Sequence, residues 1–207
     1  MKKLLGRKSS INVRKVLWTL HELGVSIERE DWGEGFRPTT APEFLKLNPN
    51  GLVPVYVEDD LVLWESNTIC RYLVAKHQRY DLLPKEVQSR AAVEQWIDWS
   101  ATNLNAAWRY SFMALVRKAP GYEDPTEIAS SISSWNRHME ILDRQILRTQ
   151  AYLTGDRFTL ADIIVGLCIN RWIMSPIEHA NCPAVLLYYE EMKQRDGFMM
   201  NGAGNEP

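Results

Sequence analysis

The chain changes its pattern once, near residues 80–86, and this change constrains the fold more than any other feature. Before it, short strand-like and helix-like stretches alternate. Leu4-Leu5 reads as a short apolar strand, stopped by Gly6. From Asn12 to Leu23 the apolar residues Val13, Val16, Leu17, Leu20 and Leu23 recur at helical spacing, and Gly24 supplies a stop. Val25–Glu30 alternates like a second strand, and Pro42–Leu47 reads as a short helix ended by Asn48-Pro49. Val53–Val57 and Leu61–Trp64 are apolar runs joined by Glu58-Asp59-Asp60, which is hairpin chemistry. Ser66–Lys76 is helical again, with Ile69, Cys70, Leu73 and Val74 on one face. The resulting order is βαβαββα. Its long first crossover predicts a parallel first pair of strands, and its tight last connection an antiparallel last pair. A four-stranded mixed sheet flanked by helices, an α+β domain, accommodates that order.

After Asp81-Leu82-Leu83-Pro84 no strand pattern returns. Glu86–Lys118 carries a long helical pattern through Trp96, Trp99, Leu104, Trp108 and Leu115, broken by Ala119-Pro120-Gly121. Asp124-Pro125 opens a second long helix through Ile146; a third spans Thr159 to about Ile173, and a fourth Pro183–Arg195. The polar, Gly-rich tail from Asn201 to Pro207 is expected to be disordered or loosely docked. A mixed unit over residues 1–80 followed by an all-helical bundle over 87–200 makes two domains, and 207 residues suffice for two small cores.

Composition removes several function classes. The formal net charge is -2 and the basic residues are dispersed, so no field favours nucleic acid or an anionic membrane. Three cysteines without C-x-x-C spacing do not make a disulfide framework and suit a reducing cytosol. Met1 to Arg7 lacks the apolar stretch of a signal peptide, and no run approaches a membrane span. The expectation is a cytoplasmic protein. His21, His77, His138 and His179 are scattered without metal-ligand spacing, so no metal is expected. Of the eight tryptophans most lie beyond residue 90, where they fill helix contacts or line an apolar pocket.

Three segments carry chemistry. In Asn48-Pro49-Asn50-Gly51-Leu52-Val53-Pro54, a proline opens a strand and so belongs beside a loop or edge. With a cis Val53-Pro54 bond, the Val53 N–H and C=O would face outward and could pair with an extended peptide. Alone, the segment also reads as an ordinary loop into a strand. In Trp64-Glu65-Ser66-Asn67-Thr68-Ile69, Ser66 is a natural helix cap whose positive helix end favours a carboxylate, while Glu65 suits an ammonium group. An α-amino acid group fits that pairing, though plain capping explains it too. The polar loop Gly6-Arg7-Lys8-Ser9-Ser10-Ile11-Asn12 precedes the first helix, whose dipole favours a thiolate. A donor at Ser10 or Asn12 would lower a thiol pKa further, or one of the two merely caps the helix.

Taken in order, S-x-N-V-R-K-V, N-P-N-G-L-V-P and E-S-N-T-I-C-R-Y-L resemble the glutathione transferase superfamily, most closely its bacterial theta-like and nu-like members. The resemblance continues to Thr159-Leu160-Ala161-Asp162, similar to the family's capping box, and covers all but about the last dozen residues. It implies a thioredoxin-like N-terminal domain, an all-helical C-terminal domain, glutathione as co-substrate, and a symmetric homodimer. It implies that Val53, beside a cis Pro54, pairs with the cysteinyl backbone, and that Glu65 and Ser66 bind the γ-glutamyl end. Theta-like relatives use a serine aligned with Ser10 and some nu-like relatives an asparagine aligned with Asn12; Ser10 is favoured, with Asn12 as second donor. Gly51 stands where many relatives have His or Lys for the glycyl carboxylate, and Asn67 where some have Arg. That carboxylate would then fall to Arg7, Lys8, Arg14 or Lys46.

The implied reaction is attack of the glutathione thiolate on a small electrophile, a peroxide or a disulfide, in a detoxifying role. The electrophile is expected between the domains under the helix from Glu86, against Asn103, Trp108, Arg109 and Met113, with Trp172 from a later helix. Each of these also reads as core or solvated surface. The competing readings are a glutathione-dependent disulfide reductase or peroxidase and a non-catalytic transferase-like binding module.

Overall fold

The computed structural model describes residues 2–203 and divides the chain into two compact units between Leu83 and Pro84. In the first unit, β1 (Lys2–Leu5), β2 (Glu28–Glu30), β3 (Val55–Glu58) and β4 (Leu61–Trp64) form one sheet in the order β2-β1-β3-β4. β1 runs parallel to β2 and antiparallel to β3, and β4 pairs antiparallel with β3. The long crossover is α1 (Ile11–Glu22), and the expected parallel and antiparallel pairings are both present. β2 begins at Glu28 instead of Val25, because only Glu28, Arg29 and Glu30 find register partners on β1.

The periodicity of α1 buries Val13, Val16 and Leu20 against α3 (Ser66–Lys76), whose Ile69, Cys70, Leu73 and Val74 are also buried. Phe44 of α2 (Pro42–Leu45) joins Leu5, Trp32 and Val55 in a second cluster that Val53 packs against. The loop carrying Val53 is therefore anchored in apolar contacts. Glu58, only 8% exposed at the end of β3, accepts from the ammonium of Lys76, from Tyr72 Oη at 3.0 Å and pairs with Lys2 Nζ at 3.3 Å. The Lys76 contact foremost holds its carboxyl down to about 2. This folded value lies below the unfolded one of about 4.3, so the stabilisation is complete above that pH and is lost as pH falls towards 2. Acid titration of unit stability should therefore show a loss on the order of 2 kcal/mol across that window. Glu58→Gln, followed by urea unfolding, should lower neutral-pH stability by a similar amount and flatten the acid limb.

Among the described residues the second unit is built on helices: α4 (Val87–Trp99), α5 (Asn105–Leu115), α6 (Pro125–Thr149), α7 (Leu160–Met174), α8 (Pro183–Met192) and α9 (Asp196–Asn201). The long pattern from Glu86 is not one uninterrupted α-helix, because Ser100–Leu104 forms a π turn between α4 and α5. There Ser100 Oγ donates to the Ile97 carbonyl and Thr102 Oγ1 to the Asp98 carbonyl, so side-chain hydroxyls compete for the helix's own acceptors. Every residue of α7 from Leu160 to Trp172 is buried, as its apolar sequence on all faces requires.

Buried Asp162 near the start of α7 accepts from Leu153 N–H (2.9 Å), Thr159 N–H (2.7 Å), Thr159 Oγ1 (2.8 Å) and Tyr188 Oη (2.8 Å). Burial pushes its carboxyl pKa up in spite of these donors. Asp162→Ala would strand them, and chemical denaturation should register a loss of about 3 kcal/mol. The tail expectation fails at its beginning: Asn201 ends α9, is buried, and donates from Nδ2 to the Gly197 carbonyl at 2.9 Å. Residues 204–207 lie outside the described set. Among the described residues no helix is long and apolar enough to cross a membrane.

Candidate functional site

The first turn of α1, the loop from Asn48 to Pro54 and the start of α3 meet at one cleft of the first unit. The loop into α1 leaves β1 through Gly6, whose φ is +146. A Cβ there would lie 2.5 Å from Val13 Cγ2 and 2.9 Å from Val53 Cβ, so glycine alone lets this loop pass between α1 and Val53. Ser10 follows as the N-cap of α1, and its carbonyl accepts from Arg14 N–H at 3.0 Å. Its hydroxyl makes no cap bond. That leaves Ser10 Oγ available to an outside acceptor at the positive end of a twelve-residue helix. Asn12, in the first turn, is exposed, and its Oδ1 accepts from Ser66 Oγ at 3.3 Å.

The second loop runs from Asn48 to Pro54 and ends in a cis Val53-Pro54 peptide bond. The Val53 N–H and C=O make no hydrogen bond among the described residues. Gly51, at φ +63, leaves space that a Cβ would close to 3.4 Å from the Thr39 carbonyl. The third segment corrects the expected cap: Glu65, not Ser66, occupies the N-cap of α3, at φ 69 and ψ 108, and Ser66 is the first helical residue. A non-glycine residue at such a φ stores backbone strain, which persists where the surroundings over-determine it and is concentrated at functional sites.

Asn12, Asn48, Leu52, Val53, Pro54, Glu65 and Ser66 together line a cleft of ≈ 50 Å³. It gathers Asn12 and all four expected glutathione-binding residues. Ser10 is not on this lining. A larger groove of ≈ 580 Å³ lies in the helical unit along α5 and α6, and includes Asn103 and Arg137, but none of these residues. The remaining expected contacts are scattered over the helical unit. Trp172 is 1% exposed and its Nε1 donates to Asn136 Oδ1 at 2.9 Å, so it is a core residue. Trp108 is half-buried, 5.2 Å from Phe112 and 4.4 Å from the Arg171 guanidinium. Arg109 and Met113 lie one turn apart on α5, exposed and half-buried respectively.

Of the four candidate cations for a carboxylate, Arg14 is buried on α1 and Arg7 Nη1 is held by Glu34 Oε2 at 2.5 Å. Lys8 and Lys46 remain in solvent. The chain's own thiols are poor nucleophiles: burial pushes Cys70 and Cys182 up to about 11, and Cys168 is buried as well. Among the described residues no cluster of His, Cys, Asp and Glu is arranged for a metal ion. Asn48 escaped the sequence reading, since an asparagine before proline signals a helix end and says nothing of its own bonds. The strain at Glu65 has no compositional signature either.

The family model described as "Glutathione S-transferase, N-terminal domain" matches residues 2–75. Over 194 residues the chain is 34% identical to glutathione S-transferase GstB of Escherichia coli K12, covering 93% of each protein. The chain belongs to the glutathione S-transferase family. The fold of this chain is similar to that of the theta-class glutathione S-transferase of Xanthomonas axonopodis pv. citri with glutathione bound. The TM-score is 0.87 at 34% identity, over 98% of this chain and 97% of the other. The family also reaches outside enzymes named as transferases. A probable elongation factor 1-gamma 2 of Arabidopsis thaliana is 35% identical over 79% of this chain and 39% of its own length.

Proposed function

We propose that this chain is a glutathione transferase that binds glutathione in the cleft of its first unit and presents it as a thiolate. The carrying observation is the unbonded Val53 N–H and C=O set in one cleft with Glu65 and Ser66. An extended tripeptide would pair with Val53 as an added strand does, with its α-ammonium towards Glu65 and its α-carboxylate at Ser66 and the start of α3. The thiol would then lie towards α1, where Ser10 Oγ donates to it and Asn12 is the second donor. A free thiol with pKa of about 8.5 is only a few per cent ionised at pH 7. Lowering that value by about two units needs roughly 2.7 kcal/mol, within reach of one charged hydrogen bond and a helix dipole.

The similarity to the theta-class enzyme with glutathione bound supports the same ligand here. Arg109 and Met113, one turn apart on α5, stay candidate electrophile contacts beside Asn103, which lines the groove of the helical unit. A homodimer in the cytoplasm, with a detoxifying role, belongs to this same reading.

The similarity to an elongation factor favours a second reading, a binding module without turnover. Retention on immobilised glutathione followed by assay with a chlorinated nitroaromatic, a peroxide and a mixed disulfide separates the readings. Retention and nitroaromatic turnover are expected, and Ser66→Ala should weaken retention about tenfold. Turnover of peroxide or disulfide alone would indicate a reductase or peroxidase, with both electrons supplied by two glutathione thiols because the chain's own cysteines are buried. Retention without any turnover leaves the module.

A further inference from the structure

Asn48 lines the cleft, yet neither the motif reading nor the reaction assigns it a task. Its side chain is 3% exposed and every polar atom on it is used. Nδ2 donates to the Leu52 carbonyl at 2.7 Å. Oδ1 accepts from Asn50 N–H at 3.0 Å and Asn50 Nδ2 at 2.9 Å. Its backbone is pinned as well, with its N–H on the Phe44 carbonyl at 2.9 Å and its own carbonyl taking Gly51 N–H at 3.0 Å. One residue thus closes the whole turn from Asn48 to Leu52.

The Leu52 carbonyl and the Val53 N–H belong to one planar trans peptide unit, in which they point in opposite directions. A donor that holds the carbonyl on one side thereby aims the N–H to the other. Leu52's own side chain is largely solvent-exposed, so packing does little to fix that plane. We infer that Asn48 is a positioning residue: by holding the Leu52 carbonyl it aims the Val53 N–H at the cysteinyl backbone of glutathione. The inference rests on the reading that Val53 pairs with the tripeptide. It adds that the affinity of this pairing is set by a side chain whose polar atoms are all spent on the loop itself.

Asn48→Asp and Asn48→Ala separate aim from packing. Asp keeps the size and the acceptor for Asn50 but turns an oxygen towards the Leu52 carbonyl, which repels it and tilts the peptide plane. Ala removes the bonds and leaves that carbonyl to water. Calorimetric titration with glutathione and steady-state kinetics on folded protein should show Kd and KM for glutathione raised about tenfold in Asp. The rise should be smaller in Ala, with kcat at saturating glutathione and KM for the electrophile unchanged in both. A larger effect in Ala than in Asp, or kcat falling with the melting midpoint while KM stays constant, would make Asn48 structural only and overturn the inference. Asp binding glutathione within twofold of the wild type would do the same. Wild type that binds no glutathione would overturn the functional reading, and this inference with it.

Discussion

Ser10→Ala should lower kcat/KM for glutathione conjugation at pH 7 by roughly 3–25-fold, the loss of ionised thiol when one hydrogen bond to a charged group, about 1–2 pKa units, is removed. The hydroxyl at the N-cap of α1 makes no bond to the helix it precedes, so its removal costs the fold little and the thiolate a donor. The pH profile gives the sign. With the bound thiol's pKa about two units below 8.5, most of it is ionised at pH 7 in the wild type. Without the donor that pKa rises, and the ionised fraction at pH 7 falls in proportion. Above about pH 9 both enzymes hold thiolate and their rates should converge. Asn12→Ala removes the second donor and with it the acceptor of Ser66 Oγ, so the thiol pKa should rise less than in Ser10→Ala while KM for glutathione rises as well. If Asn12→Ala instead raises the thiol pKa and Ser10→Ala leaves it alone, the activating donor is Asn12.

Gly6→Ala should be the most damaging single methyl group in the first unit. The new Cβ meets Val13 Cγ2 at 2.5 Å and Val53 Cβ at 2.9 Å, and the backbone sits at a φ that L-residues rarely adopt. Overpacking and strain together reach about 4 kcal/mol, and the atoms that must give way are on α1 and on Val53, the residue proposed to pair with glutathione. Urea unfolding should show that loss, and folded Gly6→Ala should be released from immobilised glutathione far more readily than wild type. Gly24→Ala provides the contrast, because nothing lies within 4 Å of its added Cβ and only the φ of +66 opposes it. Equal effects on retention from the two variants would show that contact between the β1–α1 loop and Val53 is immaterial.

The parts of this fold legible in the sequence are those set by local periodicity. Leu61–Trp64 and Ser66–Lys76 agree with the structure to the residue, because an apolar run after hairpin chemistry and a helical apolar face are local signals. The parallel β1–β2 pair and the antiparallel β3–β4 pair follow from one long and one short connection, whereas the β1–β3 pairing that completes the order β2-β1-β3-β4 has no local signal. What periodicity misses are events of hydrogen-bond competition. The π turn at Ser100–Leu104 lies inside an unbroken helical pattern, and only the hydroxyls of Ser100 and Thr102 hint at it. The proposed glutathione site is legible in part for the same reason. Val53, Glu65 and Ser66 stand out by motif order, whereas the strain at Glu65, the free hydroxyl of Ser10 and the bonds of Asn48 are tertiary facts. Trp172 could be placed on a helix but not in its core, since α7 is apolar on every side and no face marks itself as outward.

Whether glutathione is held in this cleft as a thiolate is measured directly by an ultraviolet titration of the thiolate band of glutathione bound to the wild-type protein. The predicted result is an apparent thiol pKa about two units below the ~8.5 of an unperturbed thiol, shifted upward in Ser10→Ala. Bound glutathione titrating like the free tripeptide, or no saturable binding at all, would contradict it.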